Sequence, residues 1–435
     1  MKQLINSLKG DKGIWSFVVL LALISFMPVF SASANLVYVI GKGSTIGYLV
    51  KHLVHIFIGF TLIYFVHKVP YHYYKGLSKI LLPIVALLLV YTFFQGTVID
   101  GANASRWIKV PFVGVTFQTS ALASIVLMVY VARYLAKIEG KEITFKSSFI
   151  ELWIPVFIVL ALILPANFST TALIFSMICM LVFVGKYPLK YLGTVIGMGI
   201  FMLLFFVTFA KAFPKAMPNR VDTWISRIER FTSDEPSEDD YQIEKAKIAI
   251  ATGKVYGLGP GKSVQKNFLP QSSSDFIFAI IVEEYGLLGG IGVLFLYLML
   301  FFRFLVSAHK AKTLFGKLLI VGLGFPIIFQ ALINMGVAVE LLPVTGQTLP
   351  LISSGGSSIW MTCVAVGVIL SVTKKDEEIE QERLEKEERE AALQRMIDKH
   401  MEEEAEEGTE NTETSAAYSI EDGTKNPMHA VMGKP

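Results

Sequence analysis

The chain has 435 residues, a formal net charge of +3 and a hydrophobic fraction of 53%, whereas soluble globular domains are usually about 45–50% apolar. The excess collects in nearly uncharged runs of helix length that lack the polar alternation of barrel strands, which excludes a soluble globular protein and a membrane barrel. A basic body followed by an acidic tail does not indicate a nucleic-acid partner. The two cysteines, Cys179 and Cys363, lie inside apolar runs, which excludes a zinc site or a disulfide framework.

Taken in chain order, the apolar runs predict about ten transmembrane helices and therefore an all-α polytopic membrane protein. The predicted spans are residues 14–34, 46–67, 78–98, 116–136, 149–165, 168–185, 190–210, 276–302, 317–336 and 351–372. The first run is interpreted as a span and not as a cleaved signal peptide, because many further spans follow it. Lys and Arg concentrate in every second loop, beginning with the N-terminal segment, so the positive-inside rule predicts that both termini are cytoplasmic.

The hydrophilic segments define the predicted domains. Residues 1–375 are expected to form a transmembrane domain with a large extracytoplasmic loop at 211–275, and residues 376–435 an acidic cytoplasmic tail that is helical and then disordered. The tail is interpreted as a solvated helix, with docking of a partner as the alternative. Within the large loop, Tyr241–Thr252 has apolar residues near helical spacing, which is typical of an amphipathic helix that lies on the membrane or over a cleft.

Three carboxylates mark the start of the eighth span. Asp275 begins this span from the outer surface, where an aspartate commonly serves as a helix N-cap. Glu283 and Glu284 lie about two turns deeper, where a carboxylate is costly and is usually functional. They can equally form a buried ion pair or a hydrogen bond with a neighbouring helix, so a structural role remains open for all three.

Two cations and an aromatic ring lie close together in the first large outer loop. Arg106 and Lys109 are on the outer face, against the orientation rule, and the planar guanidinium of Arg106 suits a phosphate group. Trp107 can stack on the face of a sugar or belong to the aromatic belt of the membrane interface.

The run Gly257–Ser263 superficially resembles a phosphate-binding P-loop. A P-loop requires the pattern GxxxxGK[ST] between a strand and a helix of a soluble domain, and neither the glycine spacing nor the setting fits. Nucleotide binding is therefore rejected, while Lys262 and Lys266 leave an anion-binding loop open. Farther along, Gly346–Ser358 is rich in small and hydroxyl residues, which either allow close helix packing or form a re-entrant segment that lines a cavity.

Together these separated motifs resemble the SEDS family (shape, elongation, division and sporulation proteins), and the resemblance extends from the first span to Lys375. The matching elements, in order, are Gly101–Ile108, Tyr241-Gln242, Gly257–Ser263, Lys266, Leu269-Pro270, Ser274–Phe278, Glu283-Glu284 with Gly286, Asn334 and Leu349–Ser358. The wording of Phe268–Gly290 and Gln347–Ser358 is more similar to the division-type members than to the elongation-type members. The resemblance implies a SEDS-type fold.

It also implies a peptidoglycan glycosyltransferase of the cytoplasmic (inner) membrane, which polymerises lipid II at the division septum with a class B penicillin-binding protein and other division proteins. Asp275 matches the catalytic acidic residue of the family. The residues expected to bind the substrates, lipid II and the polyprenyl-diphosphate glycan, are Arg106, Trp107, Lys109, Lys262, Lys266, Ser274 and Glu283. No cofactor is assigned, and a divalent cation, Mg²⁺ or Mn²⁺, is left open as an aid to the leaving group.

The mechanistic hypothesis is an inverting glycosyl transfer, in which Asp275 takes the proton of the GlcNAc 4-hydroxyl of an incoming lipid II. The donor is the growing glycan on polyprenyl diphosphate. Two alternatives from other classes remain. One is a lipid II flippase or transporter, which Glu283 and Glu284 keep open, and the other is a non-catalytic scaffold of the division complex.

The sequence departs from the family pattern at several positions. Family members often read QPSE-x-x-K where this chain has Gln118–Ser124, so Ala121 and Ser124 replace a glutamate and a lysine. Lys254 and Glu340 stand where glycine is common. None of these departures removes the residue expected to be catalytic, but a role for the missing glutamate and lysine does not apply to this chain.

Overall fold

The computed structural model describes residues 8–40, 44–95, 98–99, 102–103, 107–109, 116–212, 238–269, 271–374, 383–384 and 387–397. The chain divides into two compact units, Met1–Thr373 and Lys374–Pro435. In the second unit, the described residues 383–384 and 387–397 are helical. An exposed pair one helical turn apart, Arg383 Nε and Glu387 Oε1 at 3.4 Å, lies on this helix.

Helices dominate the first unit, and their positions follow the predicted spans. In the described part of the chain the elements are α1 (Lys12–Ile40), α2 (Thr45–Val66), α3 (Tyr73–Gln95), β1 (Val98–Ile99), β2 (Ala102–Asn103), β3 (Trp107–Lys109), β4 (Thr116–Gln118), α4 (Thr119–Lys137), α5 (Phe145–Ile163), α6 (Phe168–Val184), α7 (Leu189–Ala212), α8 (Glu238–Gly253), α9 (Ile277–Lys310), α10 (Leu314–Ala338) and α11 (Gly356–Val372). Eight of these helices are long and apolar enough to cross a membrane, and α6 and α11 are shorter apolar helices of 17 residues each. The predicted all-α polytopic fold of about ten spans is confirmed.

The centre of the first unit is formed by α4 and α10. In an 18-residue apolar stretch of each of these two spans 67% of the residues are buried within the protein, whereas in the corresponding stretch of α7 the share is 12%. Helix α10 packs against α9, α4, α11 and α6. The outer helices present large apolar side chains outward, which is the expected surface of a protein solvated by lipid tails.

The predicted amphipathic helix is confirmed as α8, and its apolar face packs on protein. Ile243 and Ala246 lie in one buried cluster with Ile280 of α9. An exposed ion pair between Lys247 Nζ and Glu340 Oε2, at 2.5 Å, joins α8 to the segment after α10. Helix α8 therefore covers the outer ends of α9 and α10.

Helix α9 is broken at Gly286, whose backbone angles of φ 71° and ψ −174° are accessible almost only to glycine. The loop that follows α8 lies along the break and supplies partners to the interrupted backbone. Four hydrogen bonds do this: Leu258 N to Glu283 O (2.9 Å), Gly259 N to Glu284 O (2.9 Å), Leu287 N to Lys254 O (2.8 Å) and Leu288 N to Val255 O (3.3 Å). A break within a membrane helix is tolerated when other protein groups satisfy the freed backbone, as this loop does.

Asp11 ties the start of α1 to the ends of two other helices. Its Oδ1 accepts from Gly13 N at 2.8 Å, and Arg303 Nη2 donates to Oδ2 at 2.5 Å. The N–H of Asp11 donates to Thr373 Oγ1 at 2.9 Å. Burial raises the pKa of Asp11, but hydrogen bonds from Arg303, Ile14 and Gly13 together with the Arg303 charge hold it below its usual value. Since Arg303 belongs to α9 and Thr373 follows α11, Asp11 joins α1 to both helices, to α9 through its carboxylate and to α11 through its peptide N–H.

Candidate active site

A cavity of about 480 Å³ lies beside Asp275 between α4, α6, α10, α11 and the segment that precedes α11. Its volume is in the range of pockets that enclose small organic ligands. Asp275 is the only ionisable side chain among the described residues that line the cavity. The rest of the polar lining consists of hydroxyl and amide side chains, which include Gln118, Ser120, Thr170, Gln330, Thr348 and Ser358. Such a wall offers donors and acceptors without charge, as an uncharged polyhydroxyl ligand requires.

Three polar contacts hold the backbone on which Asp275 lies. Asn334 is buried in α10, and its Nδ2 donates to the carbonyl oxygen of Asp275 at 2.7 Å. Ser353 Oγ donates to the carbonyl oxygen of Ser274 at 2.6 Å, and Ser354 N donates to Ser273 O at 3.0 Å. Asp275 therefore lies in a segment fixed by α10 and by the segment before α11, one residue before Phe276 leads into α9.

The segment before α11 approaches the carboxylate itself. Gly346 has a φ of +63°, and a Cβ at this position would lie 3.5 Å from Asp275 Oδ2. Asn334 Nδ2 also donates to Gln347 O at 2.7 Å, so one amide joins the two segments that meet at Asp275. Glycine at 346 provides the left-handed backbone and puts no side chain of its own against the carboxylate.

Residues of the run Gly346–Ser358 line the cavity wall, so this run does more than allow packing. Gln330 Nε2 donates to Thr348 O at 2.9 Å, and the hydroxyls of Thr348 and Ser358 are 2.9 Å apart. This chain of contacts connects α10 with α11 and keeps the polar groups of the wall in place. Gln330 was missed by the sequence analysis, although a glutamine within the apolar run of α10 is the kind of polar residue that membrane spans retain for a function.

The residues predicted around Trp107 are only partly described. Trp107 lies in β3, pairs with Gln118 of β4 and lines the cavity together with it. Arg106 is outside the described residues, as is the side chain of Lys109. Ser274 also lines the cavity, so three of the predicted site residues, Asp275, Trp107 and Ser274, come together there.

The structure does not bring Glu283, Lys262 or Lys266 to the described lining of this cavity. Glu283 is fully buried; it accepts hydrogen bonds from the hydroxyl of Ser263 and from Val264 N, the latter at 2.9 Å. The Nζ of Lys266 donates to Gly261 O at 2.7 Å, and Lys262 is exposed.

Glu284 is also buried and accepts from the hydroxyl of Ser31 and from Ser263 N, the latter at 3.2 Å. The two glutamates thus accept hydrogen bonds from the backbone N–H groups of Ser263 and Val264 in the loop. Of the roles left open, the structural one describes this pair: the carboxylates hold the protein's own loop.

The fold and the sequence of this chain both match one family of membrane proteins. A family model for cell cycle proteins of the FtsW, RodA and SpoVE type matches residues 11–378, and the chain belongs to this family. The solved crystal structure of the rod shape determining protein RodA of Thermus thermophilus has the same fold, with a TM-score of 0.60 and 24% identity over 84% of this chain and 96% of that chain.

Two further relatives are more similar in sequence. A Coxiella burnetii protein named "Probable peptidoglycan glycosyltransferase FtsW" is 30% identical over 371 residues, which are 83% of this chain and 96% of that protein. A chain from a solved structure described as "Structural coordination of polymerization and crosslinking by a peptidoglycan synthase complex" is 25% identical, with a TM-score of 0.63, and the match covers 84% of this chain and 97% of that chain.

Two of the departures from the family pattern, Ala121 and Ser124, lie on the cavity wall, whereas Lys254 and Glu340 are not part of its described lining. Ala121 and Ser124 both line the cavity, where a glutamate and a lysine often stand in the family. This chain therefore has a neutral wall on α4 at the place where other members carry a charged pair.

Proposed function

We propose that this chain is a peptidoglycan glycosyltransferase that polymerises lipid II, with Asp275 as its general base. The observation that carries the proposal is a single carboxylate at a cavity whose other described lining is uncharged. The family membership and the names of the relatives support the same activity.

In the proposed reaction the acceptor is the GlcNAc 4-hydroxyl of lipid II, and the donor is a glycan joined to polyprenyl diphosphate. As the hydroxyl oxygen attacks the anomeric carbon of the donor, its proton passes to Asp275 and the bond from that carbon to the diphosphate oxygen breaks. The bond pair leaves with the diphosphate, and the configuration at the anomeric carbon is inverted. A positioned carboxylate typically contributes 10²–10⁴-fold to such a step.

The sugars and the diphosphate of the substrate require different environments, and the uncharged described lining suits only the sugars. Hydroxyl and amide groups of Gln330, Thr348 and Ser358 suit the sugars, with Trp107 as a flat surface for stacking. The diphosphate needs positive charge, and the cations proposed for it are Arg106 and Lys109. Arg106 directly precedes Trp107 in the sequence, and Lys109 is the last residue of β3.

At the cavity, Asp275 is the one carboxylate among the described lining residues that could bind a divalent cation. The described residues contain no group of three or more His, Cys, Asp or Glu side chains able to hold a metal. Mg²⁺ binds through one or two carboxylates together with substrate phosphates, so Asp275 and the diphosphate form a donor set that fits it. Such an ion would neutralise charge on the leaving group.

The setting of the reaction is part of the proposal. The cation-rich loops support a topology with both termini in the cytoplasm and Asp275 on the outer face of the cytoplasmic membrane. A location at the division septum is proposed from the FtsW names of the relatives. The proposed partner is a class B penicillin-binding protein that crosslinks the strands, in keeping with the synthase complex described for one structural relative. The alternative function of a transporter depended on Glu283 and Glu284. Both carboxylates hold the loop at Ser263 and Val264, so no described contact favours transport.

Purified chain with its partner and labelled lipid II tests the proposal, with glycan length read on a gel. Asp275→Asn is expected to lower the polymerisation rate by at least about 10²-fold, because the amide does not accept the proton. Glu340→Gln, a change of an exposed carboxylate on the same side of the protein, serves as the matched control. Full polymerisation by Asp275→Asn excludes Asp275 as the general base. Movement of lipid II across liposomes without polymer indicates a transporter. Polymer formation by the partner alone indicates that this chain is a scaffold.

A further inference from the structure

Two polar contacts on α1 delimit the part of this helix that lies in the hydrocarbon. At one end Asp11 binds Arg303, and at the other the hydroxyl of Ser31 donates to Glu284 and accepts from Lys266 Nζ, the latter at 3.0 Å. A rise of 1.5 Å per residue puts Asp11 and Ser31 about 30 Å apart along the helix, which is the thickness of a hydrocarbon core. Ser31 and Glu284 therefore mark the membrane face on the side of Asp275.

The loop between α8 and α9 lies at this same level. Its residues Lys254 and Val255 accept backbone hydrogen bonds from Leu287 and Leu288, immediately after the break in α9. The backbone of the loop is in direct contact with the helix there, since a Cβ on Gly257 would lie 2.2 Å from a carbonyl oxygen of α9. The loop is thus held at the edge of the hydrocarbon and does not extend away into water.

The side chains that this loop exposes are those of a membrane interface. Tyr256 is 82% exposed, and Val255 and Leu258 are also exposed. They adjoin Leu287 and Leu288, which are exposed at the start of the lipid-facing part of α9. The apolar surface of the loop is therefore continuous with the lipid-facing surface of a membrane span.

The charge of the loop has one sign. Residues 253–268 contain Lys254, Lys262 and Lys266 and no Asp or Glu. Lys254 and Lys262 are exposed, whereas Lys266 is engaged with Ser31 and Gly261. Two exposed ammonium groups beside an apolar surface at the membrane edge complement the phosphates of anionic lipids.

We infer that the loop of residues 254–262 is a lipid-binding element: Val255, Tyr256 and Leu258 enter the interface of the leaflet on the Asp275 side, and Lys254 and Lys262 bind anionic phospholipid headgroups. The occupant of this surface is the bulk lipid of the leaflet, not the substrate of the cavity.

Spin-label accessibility in vesicles tests the insertion. A label on Tyr256→Cys, in the full chain with Cys179→Ala and Cys363→Ala, is expected to be accessible to oxygen and protected from a water-soluble nickel reagent. Leu298→Cys in the middle of α9 provides the hydrocarbon reference, and Glu244→Cys on the exposed side of α8 the water reference. Nickel accessibility equal to that at position 244 overturns the inference, and so does protection from both reagents, which indicates a protein contact.

The lysines are tested by lipid selectivity. In vesicles of phosphatidylcholine with spin-labelled phosphatidylglycerol, Lys254→Gln with Lys262→Gln is expected to reduce the immobilised fraction of phosphatidylglycerol about twofold at low salt, with immobilised phosphatidylcholine unchanged. An unchanged fraction of immobilised phosphatidylglycerol overturns the headgroup assignment. Both measurements are independent of polymerisation, so they stand or fall separately from the glycosyltransferase proposal.

Discussion

At the scale of single residues, the described side chains that line the cavity with Asp275 are all uncharged. Asn334 donates to its carbonyl oxygen, Gly346 lies against its carboxylate, and the cavity walls carry amides and hydroxyls. The hydrogen bonds from Asn334 and Ser353 to the carbonyl oxygens of Asp275 and Ser274 position the carboxylate through its backbone. The position of the backbone therefore matters as much as the side chain.

Asn334 provides the first test of this positioning. Asn334→Leu removes two donated hydrogen bonds, to Asp275 O and Gln347 O, and is expected to cost about 1–3 kcal/mol of stability. The polymerisation rate is expected to fall about tenfold or more, because Asp275 loses its anchor to α10. Thermal unfolding and glycan gels measure the two effects, with Asn267→Leu on the exposed surface as the control. A normal rate in a folded Asn334→Leu protein contradicts the anchoring role.

The neutral wall on α4 provides a second residue-scale prediction. Ala121→Glu places an unpaired carboxylate in the cavity and is expected to lower both stability and activity, since a buried charge without a partner is costly. Ser124→Lys, one helical turn along, supplies a partner, so the double variant is expected to recover part of the loss. Equal defects in the single and double variants, measured by unfolding temperature and polymer yield, would show that the two positions do not couple.

At the scale of elements, the broken helix α9 is the feature that organises the outer side of the protein. Its first part leads from Asp275, and Glu283 and Glu284 at its end hold the loop that follows α8. The loop in turn satisfies the backbone on both sides of Gly286. The break, the loop and the two glutamates therefore form one unit.

Gly286→Ala is expected to destabilise this unit strongly. A Cβ at position 286 would lie 2.2 Å from Val255 O, and the backbone angles there are open almost only to glycine. Gly292→Ala in the same helix is the matched control, because nothing lies within 4 Å of its Cβ and alanine favours a helix by about 1 kcal/mol. Thermal unfolding should show a lower midpoint for Gly286→Ala and an unchanged or higher one for Gly292→Ala; equal midpoints would refute the role of the break.

At the scale of the whole molecule, Asp11 connects α1, α9 and the end of α11. The carboxylate binds Arg303 of α9, and the peptide N–H binds Thr373 after α11. These contacts fix three spans that are far apart in sequence. They also lie where the membrane unit passes into the charged tail.

The contribution of Asp11 has a defined dependence on pH. Because the pKa of Asp11 in the folded protein is lowered, its stabilising effect is present above the unfolded value of about 3.9 and is lost as the pH falls through the folded value. Asp11→Asn is therefore expected to lower the unfolding temperature in detergent by a constant amount between pH 5 and 8, and by less below about pH 4. Glu151→Gln, which breaks the exposed pair with Lys137, should have a much smaller effect. A deficit of Asp11→Asn that grows toward low pH contradicts this assignment.

Much of the fold follows from local sequence. Apolar runs of span length predict the helices because a bilayer accepts a backbone only when its polar groups are satisfied within the segment. The amphipathic pattern of Tyr241–Thr252 predicted α8, and the motif that contains Asp275 pointed to the residue that lies at the cavity. These features depend on neighbours in the chain, which the sequence lists directly.

The partners across the fold were decided by tertiary structure alone. Periodicity places Glu283 and Glu284 in a span, but only the packed loop shows that their carboxylates accept hydrogen bonds from Val264 and Ser263. Gln330 donates a hydrogen bond to Thr348 because two separate segments of the chain meet in the fold. Local sequence patterns do not predict which segments meet. The sequence by itself therefore determined which segments enter the membrane, because that depends on local hydrophobicity. The cavity beside Asp275, whose other described lining is uncharged, depends on which side chains face one another, and only the folded chain decides that.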